Sequence, residues 1–419
     1  MKIWLVHRTE LSPEQRRAVE LHTQEHWVIG GAPGSGKTQI LLHRARHLLD
    51  EYGTDPARLR IFIFTNVLKG YIRSALGLLK LSESCVSTFD AWCCDYYQTH
   101  ISRSLPWSHA EKTRDYLAIR KAVLDRVRTL PIERRLFDFI LVDEGQDLEP
   151  ISFEILKAVA RHVTVCIDHK QQIYDHGSSE AQILQSLGLK RRNFTLLAAF
   201  RCSPYIVELA AQFIPGAQER SEFIKQNRVP MTEKETPLLY RAESWEEERS
   251  RLIEVIKTRQ IKGDKIAVLF PSKQKVYGFA QGFTDAGLVV EVRREAWQKN
   301  VRYPDLDFSS DLPKLMTYHS AKGLTFDTVM LPRLVRGSFR RSSIPVSNLL
   351  FVGVTRATRW AFLSTERGKE VEGLDQLHAL HAGNKLAIQS KNDRFQTKHA
   401  SPPKCDHDAE DDEDIGDLI

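Results

Sequence analysis

The sequence lacks the features that would place it in a membrane or stabilise it by oxidation. No apolar run in its 419 residues approaches the roughly 18 needed to cross a bilayer. The stretch Met1–Glu10 holds one lysine and a short apolar run, Ile3 to Val6, below the about 7 to 15 residues of a signal-peptide core. Six cysteines (Cys85, Cys93, Cys94, Cys166, Cys202 and Cys405) show no C-x-x-C spacing, and two are adjacent. A disulfide framework, a zinc site and an iron–sulfur cluster therefore all lack their pattern. No internal repeat is found. Hydrophobic residues at 42% and charged residues at 27% exclude fibrous and wholly disordered classes. A cytoplasmic protein with no membrane partner is expected, nucleoid-associated if bacterial. At about 150 residues per domain, the length predicts two or three domains.

The net charge of +6 conceals a split. Cys405 to Ile419 carries eight acids and no Lys or Arg, so residues 1–404 hold 60 basic against 46 acidic residues, a net of +14. A basic body suits a polyanionic partner, because neutralising phosphates drives much of nucleic-acid binding. A solvated basic surface has the same composition, so charge alone does not decide.

Short β-branched or aromatic runs at Val28–Gly30, Ile61–Thr65, Phe139–Val142, Val163–Ile167, Ile266–Phe270, Leu288–Val292, Thr328–Leu331 and Trp360–Ser364 alternate with helical stretches such as Gln39–Leu49 and Trp245–Gln260. That alternation predicts an α/β fold with parallel sheets. The runs fall into two groups, one over residues 1–198 with a small helical insertion at about 93–137, and one over 199–388. The polar segment 389–419, with Pro402-Pro403 and an acidic end, reads as a disordered tail.

Gly31-Ala32-Pro33-Gly34-Ser35-Gly36-Lys37-Thr38 fits G-x-x-x-x-G-K-[ST] between a strand-like run and a helix. Glycines let backbone N–H groups curl around phosphates, and the helix N-terminus adds a favourable dipole. Lys37 would neutralise the β- and γ-phosphates of a nucleotide, and the Thr38 hydroxyl would ligate Mg²⁺. The apolar run Phe139–Val142 then delivers Asp143-Glu144-Gly-Gln-Asp147 at a strand end. Asp143 is placed to hold Mg²⁺ through water, and Glu144 to polarise an attacking water. Two adjacent acids at a strand end also suit a plain helix N-cap.

At this motif the chain resembles the superfamily 1 DNA helicases of the UvrD/Rep/PcrA type, and further segments agree in order. Leu11-Ser-Pro-Glu-Gln15 resembles the Q motif, which implies that Gln15 reads the adenine edge. Phe64-Thr65-Asn66 resembles motif Ia, and Ser87-Thr88-Phe89 the Thr-Phe motif after it, both DNA contacts in relatives. Asp168-His-Lys-Gln171 is similar to motif III, with Gln171 linking γ-phosphate to DNA. Phe200-Arg201 matches motif IV, an aromatic on adenine and an arginine at the γ-phosphate. Thr317-Tyr-His319-Ser-Ala-Lys322-Gly323-Leu324 looks like motif V, with Thr317 and His319 on DNA and Gly323 at the nucleotide. Val352-Gly-Val-Thr355-Arg356 looks like motif VI, with Arg356 as the arginine finger. The resemblance covers residues 10–365 and implies two RecA-like domains that close on one ATP.

Several positions depart from the family. Asp175-His176-Gly177 replaces Gly-Trp-Arg, leaving His176 as a weaker base-stacking candidate; a surface loop histidine reads the same way. Thr325 replaces the glutamate that meets the ribose, Gln39 an arginine beside the adenine, and Val67 a lysine of motif Ia. These changes predict looser base selection and DNA grip with the hydrolytic set intact. Both large accessory subdomains of the family are cut down, the second to residues 296–313. The resulting expectation is an ATP- and Mg²⁺-dependent single-stranded-DNA translocase or helicase. It would move 3′ to 5′ as its relatives do, act on single-stranded or tailed duplex DNA, and recruit a protein partner through the acidic tail. The alternative is a regulatory ATPase subunit of a partner nuclease, by analogy with the helicase-like subunit of Gabija-type anti-phage systems. A metabolic P-loop kinase would leave Arg356 without a purpose.

Overall fold

The computed structural model describes residues 5–110, 112–168, 177–196, 202–227, 235–294, 303–340, 344–391 and 393. Its first half is built on strands that are apolar on both sides, such as Val28-Ile29 and Ile140-Leu141, which must be covered on both faces. They are β1 (Trp27–Gly31), β2 (Leu59–Ile63) and β3 (Val86–Thr88), then, after a small antiparallel hairpin of β4 (Trp107–Ser108) and β5 (Thr113–Arg114), β6 (Phe137–Val142), β7 (Ala160–Ile167) and β8 (Phe194–Leu196). The six-stranded sheet is parallel throughout, in the order β3-β2-β6-β7-β1-β8.

Helices α1 (Pro13–Val19), α2 (Lys37–Tyr52) and α3 (Asn66–Leu76) pack on the face carrying Ile29, Ile61 and Leu141. Helices α4 (Phe89–His100), α5 (Tyr116–Val127), α6 (Pro150–Val159) and α7 (Glu180–Leu187) cover the face carrying Val28, Phe62 and Ile140. One fully buried arginine ties the first of these layers together. Arg44 of α2 donates to Val19 O and Leu21 O at the end of α1, and to Thr164 Oγ1 of β7 at 3.0 Å. His162 stands beside it, its Nε2 2.9 Å from Thr164 Oγ1.

The second half repeats the plan. Helices α8 (Pro204–Ala211) and α9 (Ala217–Gln226) lead into β9 (Leu238–Ala242), α10 (Trp245–Ile261), β10 (Ile266–Phe270), α11 (Lys273–Asp285), β11 (Glu291–Val292), β12 (Lys314–Thr317), α12 (Tyr318–Ala321), β13 (Phe326–Leu331), α13 (Val346–Val354), β14 (Ala357–Glu366), α14 (His378–Ala382) and β15 (Ala387–Gln389). The seven strands are parallel in the order β11-β12-β10-β13-β14-β9-β15. Helices α10 and α11 cover one face and α8 and α13 the other. Two such helix-covered parallel sheets make two RecA-like domains.

Of the run Leu288–Val292, only Glu291 and Val292 enter the ladder; Leu288 and Val290 are buried beside it. At the other end, Gln389, where the tail was expected to begin, closes β15 against Tyr240. Residues 394–419, with the acidic terminus, lie outside the described residues. Residues 303–313 form a strap along the β11–β12 edge. It is fixed by a buried pair, Lys314 Nζ to Glu291 Oε2 at 2.7 Å, and by Asp307 N donating to the same oxygen at 2.9 Å.

The two halves share an apolar cluster in which α3 meets α12. Gly323, at φ +81°, leaves room there for Leu68: a Cβ on it would lie 3.1 Å from Leu68 Cδ2. Phe308 of the strap sets its ring edge-on to Tyr71 of α3, centroids 5.3 Å apart. Cys85, Cys93, Cys94, Cys166 and Cys202 are all buried. No helix among the described residues is long and apolar enough to cross a membrane.

Candidate active site

The C-terminal ends of β1, β6 and β7 bring three polar segments together, as expected where parallel strands end in loops. After β1, Gly34 and Gly36 take left-handed backbones (φ +79° and +86°), which a Cβ would strain. The closeness also matters at Gly36, where a Cβ would come within 2.6 Å of Gln15 Nε2. The loop curls back so that Lys37 Nζ donates to Gly31 O (2.8 Å) and Ala32 O (3.0 Å) and meets Asp168 Oδ2 at 3.2 Å. Ser35 Oγ is buried in the loop without a hydrogen bond. Asp168 thus occupies the lysine that the sequence assigns to phosphates.

Gln15 is fully engaged. Its Oε1 accepts from Ser12 N at 3.0 Å, and its Nε2 donates to Ser35 O at 3.0 Å. Helix α1 is therefore capped and the phosphate loop braced by one amide.

After β6, Asp143 N donates to Phe62 O, and Thr38 Oγ1 donates to Asp143 Oδ2 at 2.6 Å. Glu144 holds φ +52°, a strained left-handed conformation for a non-glycine residue, common where function over-determines the backbone. Gln146, buried, donates to Glu144 Oε2 at 2.6 Å while its Oε1 accepts from Asp168 N at 2.9 Å. One amide so fixes both the acid after β6 and the acid after β7. From the second domain, Lys322 Nζ reaches Asp147 Oδ2 at 2.5 Å and Glu144 Oε2 at 3.8 Å. The same ammonium lies over the Phe64 ring, 5.6 Å from its centroid.

These contacts polarise the acids differently. Burial pushes the Asp143 carboxyl up, reinforced by Glu144, and does the same to Asp147 against the pull of Lys322. Burial also raises Asp168, opposed by Lys37. Glu144 feels the same burial, but Lys322, Lys37 and Arg356 together bring it below its ordinary value. An ionised Glu144 among protonatable neighbours is the charge pattern of a base.

Arg356 sits across the cleft, 5% exposed, its charge disfavoured by burial. Its Nε donates to Val352 O (3.1 Å) and its Nη2 to Thr355 Oγ1 (3.2 Å). Pro33, Lys37, Thr38, Glu144, Gly323 and Arg356 line one cleft of about 550 Å³, with Tyr71, Cys202 and Thr325 also at its wall. Thr38 and Asp143 offer oxygen ligands only, the type that a hard cation such as Mg²⁺ takes, and they stand side by side at the end of the phosphate loop.

The residues expected on DNA divide. Thr65 follows β2 by two residues, Thr88 and Thr317 end β3 and β12, and each caps the next helix, accepting from Leu68 N, Ala91 N and Ser320 N. Asn66 opens α3. Phe64 and His319 are half-buried, and burial lowers the His319 pKa, with Lys322 adding to it. Phe89 corrects the expectation. It is 2% exposed and packs edge-on against Phe62 at 5.5 Å, because the strand end turns it inward to the core under α4. Gln171, His176, Phe200 and Arg201 lie outside the described residues. Asp147, Gln146, Asp168 and Lys322 were not singled out by sequence reasoning, although all four stand inside the motifs.

The family model of the UvrD/REP helicase N-terminal domain matches residues 11–129 and 127–190, and that of the UvrD-like helicase C-terminal domain matches 314–364. A probable DNA helicase of Mycoplasma pneumoniae is 22% identical over 464 aligned positions, covering 84% of this chain and 83% of its own. The ATP-dependent DNA helicase srs2 of Schizosaccharomyces pombe is 33% identical over 125 residues, 28% of this chain and 14% of its own length. Among solved structures, the C-terminal domain of a possible DNA helicase from Lactobacillus plantarum WCFS1 aligns with 45% of this chain and 98% of its own. Its TM-score is 0.33 at 14% identity, too low to carry an argument.

Proposed function

Because the chain belongs to the UvrD/REP helicase family, we propose that it is an ATP- and Mg²⁺-dependent DNA translocase or helicase moving 3′ to 5′ on single-stranded DNA. The observation that carries this reading is the single cleft in which Lys37, Thr38 and Glu144 of one domain face Arg356 of the other. Mg²⁺ held by Thr38 and Asp143 would supply charge neutralisation at the β- and γ-phosphates.

The chain's own groups do the rest. The γ-phosphate replaces Asp168 as the counter-anion of Lys37. Glu144 accepts a proton from the attacking water, the water oxygen bonds to the γ-phosphorus, and ADP departs with the electrons of the broken P–O bond. Arg356 leaves the Val352 carbonyl for the γ-phosphate only when the domains close, so turnover depends on closure. Lys322 touches Glu144, Asp147 and the Phe64 ring, and so relates the hydrolytic acid to the face assigned to DNA.

The test is the initial rate of ATP hydrolysis with and without a long single-stranded oligonucleotide, with Lys37→Ala as the blank. Strong stimulation is the expected result. A rate that ignores DNA would overturn the motor and favour a subunit that answers to a protein partner such as a nuclease.

A further inference from the structure

Residues 405–419 carry eight carboxylates and no Lys or Arg, with Ile415, Leu418 and Ile419 set among the acids. The segment lies outside the described residues; the surface it can meet does not. A cleft of about 410 Å³ opens between α3 and the ends of β11 and β12, and it shares no lining residue with the nucleotide cleft. Its floor is apolar, with Val67 from α3, Val276 from α11, Leu306 from the strap and Met316 from β12. Exposed Lys273 and Arg293 stand at its rim.

An occupant that brings apolar side chains to the floor and negative charge to the rim matches both parts of this lining. Thr317 lines the cleft too, so on the motor reading it belongs to the DNA track. The segment 405–419 offers the rim the same charge as a nucleic acid. In Ile415, Leu418 and Ile419 it also offers the floor aliphatic side chains, which a nucleotide lacks.

Position agrees. The last strand, β15, ends at Gln389 on the same edge of the second sheet as β11 and β12 end, because all seven strands are parallel. Crossing the sheet from β15 to β11, at about 4.8 Å per strand, spans about 29 Å. The chain from Asp393 to Ile415 can extend over about 70 Å, so the reach suffices with room for a detour. Exposed Arg336, in the loop after β13, adds a cation on that edge. The nucleotide cleft meets the opposite edge, where Thr325 and Arg356 immediately precede β13 and β14.

We propose that residues 405–419 dock in this cleft in cis, with Ile415, Leu418 and Ile419 on the apolar floor and the carboxylates at Lys273, Arg293 and Arg336. The chain thereby occupies its own DNA track until a nucleic acid displaces the segment, and the nucleotide cleft stays open. The competition rests on the motor reading and adds a regulation to it; the docking does not need that reading. A tethered segment meets its site at an effective concentration on the order of 1 mM. A separate peptide with a Kd of about 0.1 mM therefore corresponds to about tenfold weaker DNA binding by the intact chain.

The test compares the full chain with one ending at Lys404, which keeps every described strand and helix, the last of them ending at Gln389. Fluorescence anisotropy at low salt reads the affinity of each for a labelled oligothymidylate. Removing the segment is expected to tighten binding about tenfold and to leave the KM for ATP at saturating DNA unaltered. A labelled peptide of residues 405–419 should bind the shortened chain without DNA present, and oligothymidylate should displace it. Arg293→Glu in the shortened chain should weaken that peptide about threefold, the scale of an exposed ion pair. In the full chain, Ile415→Ser, Leu418→Ser and Ile419→Ser together keep every charge and should reproduce the tightening. Equal DNA affinities of the two chains, or a peptide that does not bind, overturns the docking. A triple variant that binds DNA like the wild type overturns it as well, since the segment would then act through net charge alone. If neither chain binds oligothymidylate, the motor reading fails, and the peptide measured without DNA still decides the docking.

Discussion

Lys322 Nζ lies 2.5 Å from Asp147 Oδ2, an ion pair buried at both ends that joins the second domain to the acids of the first. Burial alone would push both carboxyls of this cluster up; the ammonium is the largest opposing influence on Glu144 and on Asp147. Breaking one side of such a pair typically costs about 3–5 kcal/mol, because the other charge is left without compensation.

Lys322→Met should therefore do more than loosen the interface. Without the ammonium, the Glu144 carboxyl rises, and the acid limb of the pH–rate profile moves to higher pH. Turnover on the acid side of the profile should fall, while Lys322→Arg retains most of it. A profile that keeps its acid limb in place would show that Lys322 does not tune the base.

Glu144→Gln removes the proton acceptor and keeps the shape. Steady-state turnover should fall by about 10² to 10⁴, the range for loss of a general base, with ATP binding retained. Lys37→Ala should lose turnover and binding together. Nucleotide binding by both variants, measured by calorimetry, separates the two roles; full turnover in either would displace the assignment.

Gln15 spends both ends of its amide inside the protein, on Ser12 N and Ser35 O. Gln15→Ala should therefore release the phosphate loop as a whole, weakening ATP and GTP by the same factor. The ratio of kcat/KM for the two nucleotides is the measurement. A loss confined to ATP would mean that the amide turns to the adenine edge when nucleotide enters.

His162 gives a pH dependence that owes nothing to catalysis. Burial, with Arg44 and His26 adding to it, lowers its pKa to about 2 from 6.5. A histidine depressed by folding contributes stability that is complete above its unfolded pKa and is lost as pH falls through the interval between the two values. The protein should thus lose up to about 1.4 kcal/mol per pH unit from this group as pH drops below 6.5. Urea unfolding at pH 7 and pH 5 of the wild type and of His162→Asn gives the comparison, the variant showing the smaller difference.

Much of this was legible in the residues because some chemistry requires fixed types at fixed spacing. The loop Gly31 to Thr38 and the acids after Val142 could be placed before any coordinates, since an apolar run followed by those side chains has few other uses. The strands β3, β8 and β15 could not, being three residues each and defined by the neighbour they pair with. Phe89 misled for a related reason: it follows a strand end, and one step of rotation separates the solvent face from the core. The pairing of Lys322 with Asp147 spans 175 positions, so no local pattern announces it. Gln146 is similar, its value lying in a distance to Asp168 that only the fold creates.

The buried cysteines carry a practical consequence. Burial pushes the Cys85 thiol up to about 11 and raises Cys93 and Cys166 further from ionisation, so these three positions offer little thiolate to an alkylating reagent. Labelling of these positions then proceeds only as fast as the surrounding layer breathes, and the mass of a trapped adduct records where and how often. Cys202, at the wall of the nucleotide cleft, extends the same chemistry to occupancy: a bound nucleotide shields it, and its alkylation rate becomes a count of the time the cleft spends empty.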